Sequence, residues 1–284
     1  MIRKVLILGA SGQLGLEFKE TLSQKSIPFA APGEEEADIT NQEAMERLIA
    51  REKPGVVVNC AAYNAVDDAE SRPEIAYRVN AEAVGTLAGI CRRHGAFLVH
   101  YSSDYVFDGK KEGLYTEDDA PNPLNVYGKS KLAGEEAVKS ATGDYLVFRL
   151  SWVIGKGKQN FLYKLSRWME NNPVLRISAD ETSVPTFADD IVRITLMSLE
   201  KGLAGLYHLV SSDYASRYEL ARYFINKLGK TNLVIPVAIG SFQMPAPRPA
   251  FSAMSNRKLS EALGIQIPRW QEGVDRYFSF FQNK

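Results

Sequence analysis

Cysteine is scarce in this chain: Cys60 and Cys91 are the only two among 284 residues. Each falls inside a segment that reads as regular structure, so a disulfide framework is not expected and a reducing, cytoplasmic setting fits. The three histidines, His94, His100 and His208, stand isolated. Nothing in their spacing suggests a metal site, structural roles are their default, and no metal is assigned. Net charge is missing too: 34 basic residues balance 34 acidic ones, and no Lys/Arg run exceeds a pair or triplet. That excludes a nucleic-acid scaffold, and a phosphate-bearing ligand must be met locally. No stretch approaches the roughly 20 apolar residues that a bilayer requires, which argues against a membrane span. The run Val5-Leu6-Ile7-Leu8 follows Arg3-Lys4 as a signal peptide would, but it stops at Gly9 and reads as a buried first strand. Internal repeats and low-complexity tracts are also lacking.

What is present is the composition of an ordinary globular protein, 45% hydrophobic and 24% charged. The length allows one large α/β unit, or a nucleotide domain with a smaller lobe, but not a second full-size domain. In the first half, short apolar runs alternate with amphipathic stretches. Strands are expected at residues 4–8, 27–30, 56–59, 97–101 and 145–149, and helices at 12–24, 41–51, 73–94 and 127–141. Val56-Val57-Val58 and Tyr145-Leu146-Val147-Phe148 are continuous apolar runs, as buried parallel strands require. The pattern predicts an α/β, Rossmann-like, doubly wound parallel sheet over residues 1–150. Beyond about residue 150, seven prolines from Pro173 to Pro268 shorten the rhythm. Helices are expected near 161–171, 190–201, 216–228 and 270–281, in a smaller C-terminal lobe over 151–284, some of whose segments can return to the first domain. Residues 240–255, rich in proline and holding Arg248, read as an ordered loop.

Gly9-Ala10-Ser11-Gly12-Gln13-Leu14-Gly15 follows the first strand directly and opens a helix. Glycine permits the tight turn and close approach of backbone N–H groups to a pyrophosphate, and the helix N-terminus adds partial positive charge. The second strand ends at Ala30-Ala31-Pro32 without the acidic residue that commonly holds the adenosine ribose, so NADPH is not excluded, and no Arg or Lys lies close by to favour it. Glu34-Glu35-Glu36 reads as a solvated loop, whereas Asp38 can either cap the next helix or reach the adenine.

Tyr127 and Lys131 lie four residues apart, on one helix face and about 6 Å apart along its axis. A phenol is a poor acid at neutral pH, and a nearby ammonium is expected to lower its pKa. Tyr127 can then protonate a carbonyl oxygen as hydride reaches the carbon, with Lys131 also reaching the nicotinamide ribose. Such a pair is a common accident on a helix, and its neighbours give it weight. The strand at 97–101 runs into Ser102-Ser103-Asp104 at the carboxyl end of a sheet, where α/β proteins bind ligands. Ser103 can bond the same oxygen, or the two serines merely start a loop. Asn80 sits inside an expected long helix, which asparagine disfavours; it either faces solvent or bonds a backbone carbonyl or water.

Longer motifs carry a resemblance. The glycine turn, Val58-Asn59-Cys60-Ala61-Ala62-Tyr63-Asn64-Ala65-Val66-Asp67, Tyr101-Ser102-Ser103-Asp104-Tyr105-Val106-Phe107-Asp108-Gly109 and Pro123-Leu124-Asn125-Val126-Tyr127-Gly128-Lys129-Ser130-Lys131 together resemble the dTDP-4-dehydrorhamnose reductases. The likeness spans nearly the whole chain, through Arg149-Leu150-Ser151-Trp152-Val153, Gly205-Leu206-Tyr207-His208-Leu209 and Arg248-Pro249. It implies an extended short-chain dehydrogenase that reduces the C4 ketone of dTDP-4-dehydro-L-rhamnose with NADPH or NADH. By matching positions it implies Tyr127 as proton donor, Lys131 as its partner and ribose anchor, and Ser103 as the carbonyl's orienting group. Gly9, Gly12, Gln13, Leu14 and Gly15 would surround the pyrophosphate, and Asp38 and Ile39 the adenosine. Ala62, Tyr63 and Asn64 would form the turn near the cofactor. Asp104 and Trp152 would meet the sugar, Arg248 the diphosphate, and Asn80 a carbonyl or water behind Lys131. Ser103 departs from the threonine of many members but keeps the hydroxyl. Some members are dimers bridged by Mg²⁺; the corresponding positions here hold Asp189 and Gln271, so no Mg²⁺ ligand set is read, and a monomer or homodimer is expected. Two alternatives share the resemblance: a non-catalytic NADP-binding regulatory subunit of the methionine adenosyltransferase type, and a reductase or epimerase of another nucleotide sugar.

Overall fold

The computed structural model describes residues 3–141 and 143–282. In its first half β1 (Val5–Leu8), α1 (Gln13–Gln24), β2 (Phe29–Ala30), α2 (Gln42–Glu52) and β3 (Val56–Asn59) follow in turn. Next come α3 (Val66–Ser71), α4 (Pro73–Tyr77), a π-helical turn at Arg78–Glu82, and α5 (Ala83–Arg93). β4 (Phe97–Ser103), α6 (Val126–Ala141) and β5 (Tyr145–Leu150) complete this half.

The second half contains β6 (Val153–Ile154), α7 (Phe161–Asn171), β7 (Val174–Ser178), β8 (Thr182–Ser183), β9 (Thr186–Phe187) and α8 (Ala188–Glu200). β10 (Gly205–His208), β11 (Ala215–Ser216), α9 (Arg217–Lys227), β12 (Leu233–Val237), α10 (Arg257–Leu263) and α11 (Trp270–Gln282) follow.

Six strands form one sheet in the order β10-β5-β4-β3-β1-β2, every pairing parallel. A strand covered on both faces must be apolar throughout, and Val5–Leu8 is buried at all four positions. Its side chains alternate between two cores. Val5 and Ile7 pack with Phe18 of α1 and Ile191 and Ile194 of α8. Leu6 and Leu8 pack with Met45 and Ile49 of α2 and Leu87 of α5. From β1 the chain runs outward to β2, then crosses to β3 on the other side, so the carboxyl ends of β1 and β3 part into a crevice. The second lobe has a core of its own around Leu162, Phe187, Phe224 and Val274, framed by three two-stranded pairs, β6–β9, β7–β12 and β8–β11.

The structure departs from the sequence expectations in three places. The second strand shrinks to two residues: Pro28 has no N–H to donate, and only its carbonyl is used, by the Val5 N–H at 3.0 Å. The single helix expected over 73–94 is interrupted by the π-helical turn that carries Asn80. β4 runs two residues further than expected, so that Ser102 and Ser103 pair with Arg149 and Leu150. The return of later segments that the expectation allowed for is made by Gly205–His208, which joins the first sheet beside β5, and by α8, which joins its core, so the chain re-enters the first half after residue 187.

Candidate active site

A cavity of about 870 Å³ opens at the carboxyl ends of β1, β3 and β4, between the sheet and the second lobe. One wall begins at the glycine turn. Gly9 has φ +70°, and a Cβ there would lie 2.6 Å from the Ala61 nitrogen, so only glycine lets this turn pass beneath β3's end. Gly12 occupies the N-cap of α1 and provides no side-chain acceptor, leaving the N–H groups of the first turn available. Gly12, Gln13 and Leu14 reach the cavity. Gly9 and Gly15 instead make the packing possible: a Cβ on Gly15 would sit 2.4 Å from the Gly9 carbonyl.

Ala62 and Asn64 also line the cavity, but the side chain of Tyr63 does not. The Tyr63 hydroxyl donates to Asp68, and its backbone is held from both ends by Asn80. Asn80 Oδ1 accepts the Tyr63 N–H at 2.8 Å, while Nδ2 donates to the Tyr63 carbonyl and to Ser130 Oγ, each at 3.0 Å. Asn80 is therefore buried rather than solvent-facing, and the carbonyl it bonds belongs to the turn after β3. Asp38 is not the cap of α2. Its carboxylate accepts from the Thr40 N–H and hydroxyl at 2.9 and 2.8 Å, and Asn41 caps the helix by accepting from the Ala44 N–H at 3.0 Å. Asp38 is exposed and Ile39 sits in the core with Met45; neither is on the cavity wall.

α6 approaches this wall because Gly128 lacks a side chain: a Cβ there would lie 2.1 Å from the Tyr105 carbonyl. The approach brings Tyr127 and Lys131 to the cavity together with Ser103. The Tyr127 hydroxyl donates to Asn64 Oδ1 at 3.4 Å, and its ring meets that of Tyr105 edge-on. Lys131 is 1% exposed and donates from Nζ to the Tyr101 carbonyl at 2.6 Å. Burial holds its ammonium down to about 8, countered by Glu135 one turn along. Glu135 is itself gripped by Arg149 through bonds of 2.9 and 2.7 Å. The expected lowering of the phenol's pKa by this ammonium does not occur: burial pushes Tyr127 up to about 12, and Lys131 points at a backbone carbonyl. A phenol so placed keeps its proton at neutral pH, the state that a proton donor needs.

Ser103 both faces the cavity and starts a turn. Its Oγ accepts the Tyr105 N–H at 3.2 Å and donates to Asp104 Oδ1 at 3.2 Å. Asp104 Oδ2 receives three further hydroxyls, from Ser151, Ser183 and Ser252 at 3.2, 2.8 and 2.5 Å. Burial raises the Asp104 pKa and these hydroxyls oppose the rise. Trp152 lies on the wall with φ +39°. The guanidinium of Arg217 stacks 3.5 Å from its ring centroid.

Arg248 does not reach the wall. It donates to both carboxylate oxygens of Asp67 at 2.9 and 2.7 Å and to the Ala246 carbonyl at 2.8 Å, tying the proline-rich loop to α3. This pairing keeps the Asp67 carboxyl below its ordinary value. Asp189 pairs with Arg276 at 2.7 Å. Both cysteines are free, and burial raises both thiols. Among the described residues, no group of three or more His, Cys, Asp or Glu could hold a metal ion, and no helix is long and apolar enough to cross a membrane.

Sequence reasoning missed Phe161, Lys164, Trp168 and Arg217, which line the second-lobe side. The one local signal was the capping box Ser216…Glu219, which fixes where Arg217 enters its helix.

The model of the RmlD substrate binding domain family matches residues 3–283. A dTDP-4-dehydrorhamnose reductase of Burkholderia thailandensis is 38% identical, covering 95% of this chain and 96% of that protein. The crystal structure of a dTDP-4-dehydrorhamnose reductase from Clostridium acetobutylicum superposes with a TM-score of 0.95 at 34% identity, covering 98% of this chain and 99% of the other. That of a dTDP-4-dehydrorhamnose reductase from Bacillus anthracis in complex with NADP gives 0.94 at 32% identity, covering 98% and 99%.

Proposed function

Because this chain belongs to the RmlD substrate binding domain family, we propose that it is an NAD(P)H-dependent oxidoreductase that reduces the C4 ketone of dTDP-4-dehydro-L-rhamnose to give dTDP-L-rhamnose. The observation that carries this reading is the convergence of Tyr127, Lys131 and Ser103 on one cavity, facing an uncapped helix start at the sheet's switch point.

The residues fit a dinucleotide. The first turn of α1 has free N–H groups and no side chain at Gly12 to block a pyrophosphate, so Gly12, Gln13 and Leu14 would hold it. Ala62 and Asn64 would flank it, and the Lys131 ammonium would turn from the Tyr101 carbonyl to the ribose hydroxyls. When bound, the dinucleotide supplies hydride. Ser103 would bond the ketone oxygen and fix its direction, and Tyr127 would pass its phenolic proton to that oxygen as the carbon becomes tetrahedral. The phenolate left behind would draw on Lys131, whose Nζ is bound to the Tyr101 carbonyl while the neighbouring Glu135 carboxylate is held by Arg149. Asp104 and Trp152 would contact the sugar. In this reading residues 1–150 hold the cofactor and 151–284 mainly the substrate, and the protein works in the cytoplasm as a monomer or homodimer.

The test is consumption of NADPH and of NADH, in parallel, with dTDP-4-dehydro-L-rhamnose, the product being identified by NMR. Appearance of dTDP-L-rhamnose supports the reading. Cofactor binding without consumption would place the chain among regulatory proteins, and turnover confined to a UDP- or GDP-ketosugar would reassign the substrate.

A further inference from the structure

We propose that Arg217 and Lys164 form an anion subsite in the second lobe that receives the diphosphate of the nucleotide sugar, a role for which the sequence resemblance pointed to Arg248. The inference rests on the substrate class proposed above. Among the described residues three cations line the cavity: Lys131, Lys164 and Arg217. Lys131 is bound to the Tyr101 carbonyl at the reaction end. The other two come from α9 and α7, on the opposite side.

The wall has an order that matches the substrate. Ser103 bonds Asp104, Asp104 bonds Ser151, and Trp152 follows in the chain. Arg217 lies 3.5 Å from the Trp152 centroid and 5.1 Å from that of Phe161. Phe161, Lys164 and Trp168 share one face of α7 by their spacing, and the Phe161 and Trp168 rings meet edge-on. From the ketone outward a nucleotide sugar presents a sugar ring, a diphosphate and a nucleoside; the wall presents Ser103 and Trp152, then two cations, then an indole 42% exposed.

The charges are placed to be used. Asp104 is the one carboxylate on the wall among the described residues, and four serine hydroxyls surround it. The nearest acid to Arg217 is Glu181, 3.7 Å from its Nε, which also accepts the Tyr105 hydroxyl at 3.4 Å. Arg217 is thus ion-paired with Glu181 through Nε at 3.7 Å, while among the described residues its guanidinium makes no hydrogen bond and the Lys164 Nζ carries neither hydrogen bond nor ion pair. An arginine whose Cζ lies 3.5 Å over an indole centroid is held in place and partly stripped of water, which suits paired bonds to phosphate oxygens. Arg248, by contrast, has both arms on Asp67.

The test measures dTDP and thymidine binding to the cofactor-loaded protein by calorimetry, for the wild type, Arg217→Met, Arg217→Lys and Lys164→Met. The wild type is expected to bind dTDP more tightly than thymidine. Arg217→Met should weaken dTDP by about 10- to 100-fold and Lys164→Met by about 3- to 10-fold, with thymidine and NADPH affinities within about twofold. Arg217→Lys, which keeps the charge and loses the fork, should fall between. In the reductase assay the KM for the ketosugar should rise in step while kcat changes little. Unchanged dTDP affinity in both Met variants overturns the subsite, and a loss confined to NADPH assigns these cations to the cofactor instead. Lys164 is exposed, so its variant reports on binding even where Arg217→Met folds poorly. If the wild type turns over no ketosugar, the reductase reading fails, yet the dTDP titration still decides the subsite.

Discussion

Replacing Lys131 with Met should strengthen the fold while abolishing turnover. The folded chain holds this ammonium at about 8, against an ordinary value of 10.5, and the cause is burial. The unfolded chain therefore binds the proton up to the higher value, the folded chain only to the lower. Between them the unfolded state carries more protons, so the contribution of this residue to stability rises with pH: the penalty is full below about pH 8 and fades toward 10.5. Its size at pH 7 is about 3 kcal/mol. Methionine fills a similar volume without charge, but leaves the Tyr101 carbonyl without its 2.6 Å donor, at a cost of about 1–3 kcal/mol. The net at pH 7 is a gain of about 0–2 kcal/mol. The sharper quantity is the difference between variant and wild type, which should shrink by about 2 kcal/mol from pH 7 to 9.5 as the wild type loses its penalty. Urea unfolding at the two pH values measures it. Identical pH dependence in both proteins would refute the claim that burial destabilises this charge.

Two further outcomes follow from the packing around that helix. Arg149→Met should cost about 3–5 kcal/mol, because it strands the buried Glu135 carboxylate one turn from Lys131, and the double variant with Glu135→Gln should recover much of the loss; thermal unfolding of the three proteins checks this, and equal melting temperatures for single and double variants would contradict it. Gly128→Ala forces a Cβ to within 2.1 Å of the Tyr105 carbonyl, so α6 must withdraw; stability should fall by about 1–3 kcal/mol, with turnover reduced more than cofactor binding, and wild-type kinetics would show that the close approach is dispensable.

The parts of the fold legible in the sequence were those set by neighbours along the chain. Four consecutive apolar residues from Val5 to Leu8 announce a strand covered on both faces, and the glycine turn announces the helix after it. Tyr127 and Lys131 share a face by spacing alone, and the structure brings both to the cavity with Ser103. What was hidden depends on distant partners. The ion pair between Arg248 and Asp67 joins residues 181 positions apart, and no local pattern distinguishes an arginine aimed at a ligand from one aimed at a carboxylate. Gly205–His208 joins β5 across the whole of α7 and α8, a pairing decided by which sheet edge is left open. Asparagine within an expected helix marks position 80, but neither the π-helical turn nor the choice of partners can be read from it; these are seen only once Tyr63 and Ser130 are beside it. The direction in which the Tyr127 pKa moves is not legible for a related reason: helix spacing places an ammonium nearby, but burial raises the phenol and the Tyr101 carbonyl takes the ammonium.

In the proposed reaction the Tyr127 hydroxyl delivers a proton to a substrate ketone inside this cavity. The most direct test is Tyr127→Phe, which removes one oxygen and little else, assayed by steady-state NADPH oxidation with dTDP-4-dehydro-L-rhamnose and by cofactor titration. Turnover should fall by about 10²- to 10⁴-fold with cofactor affinity nearly unchanged. Turnover equal to the wild type would contradict this role.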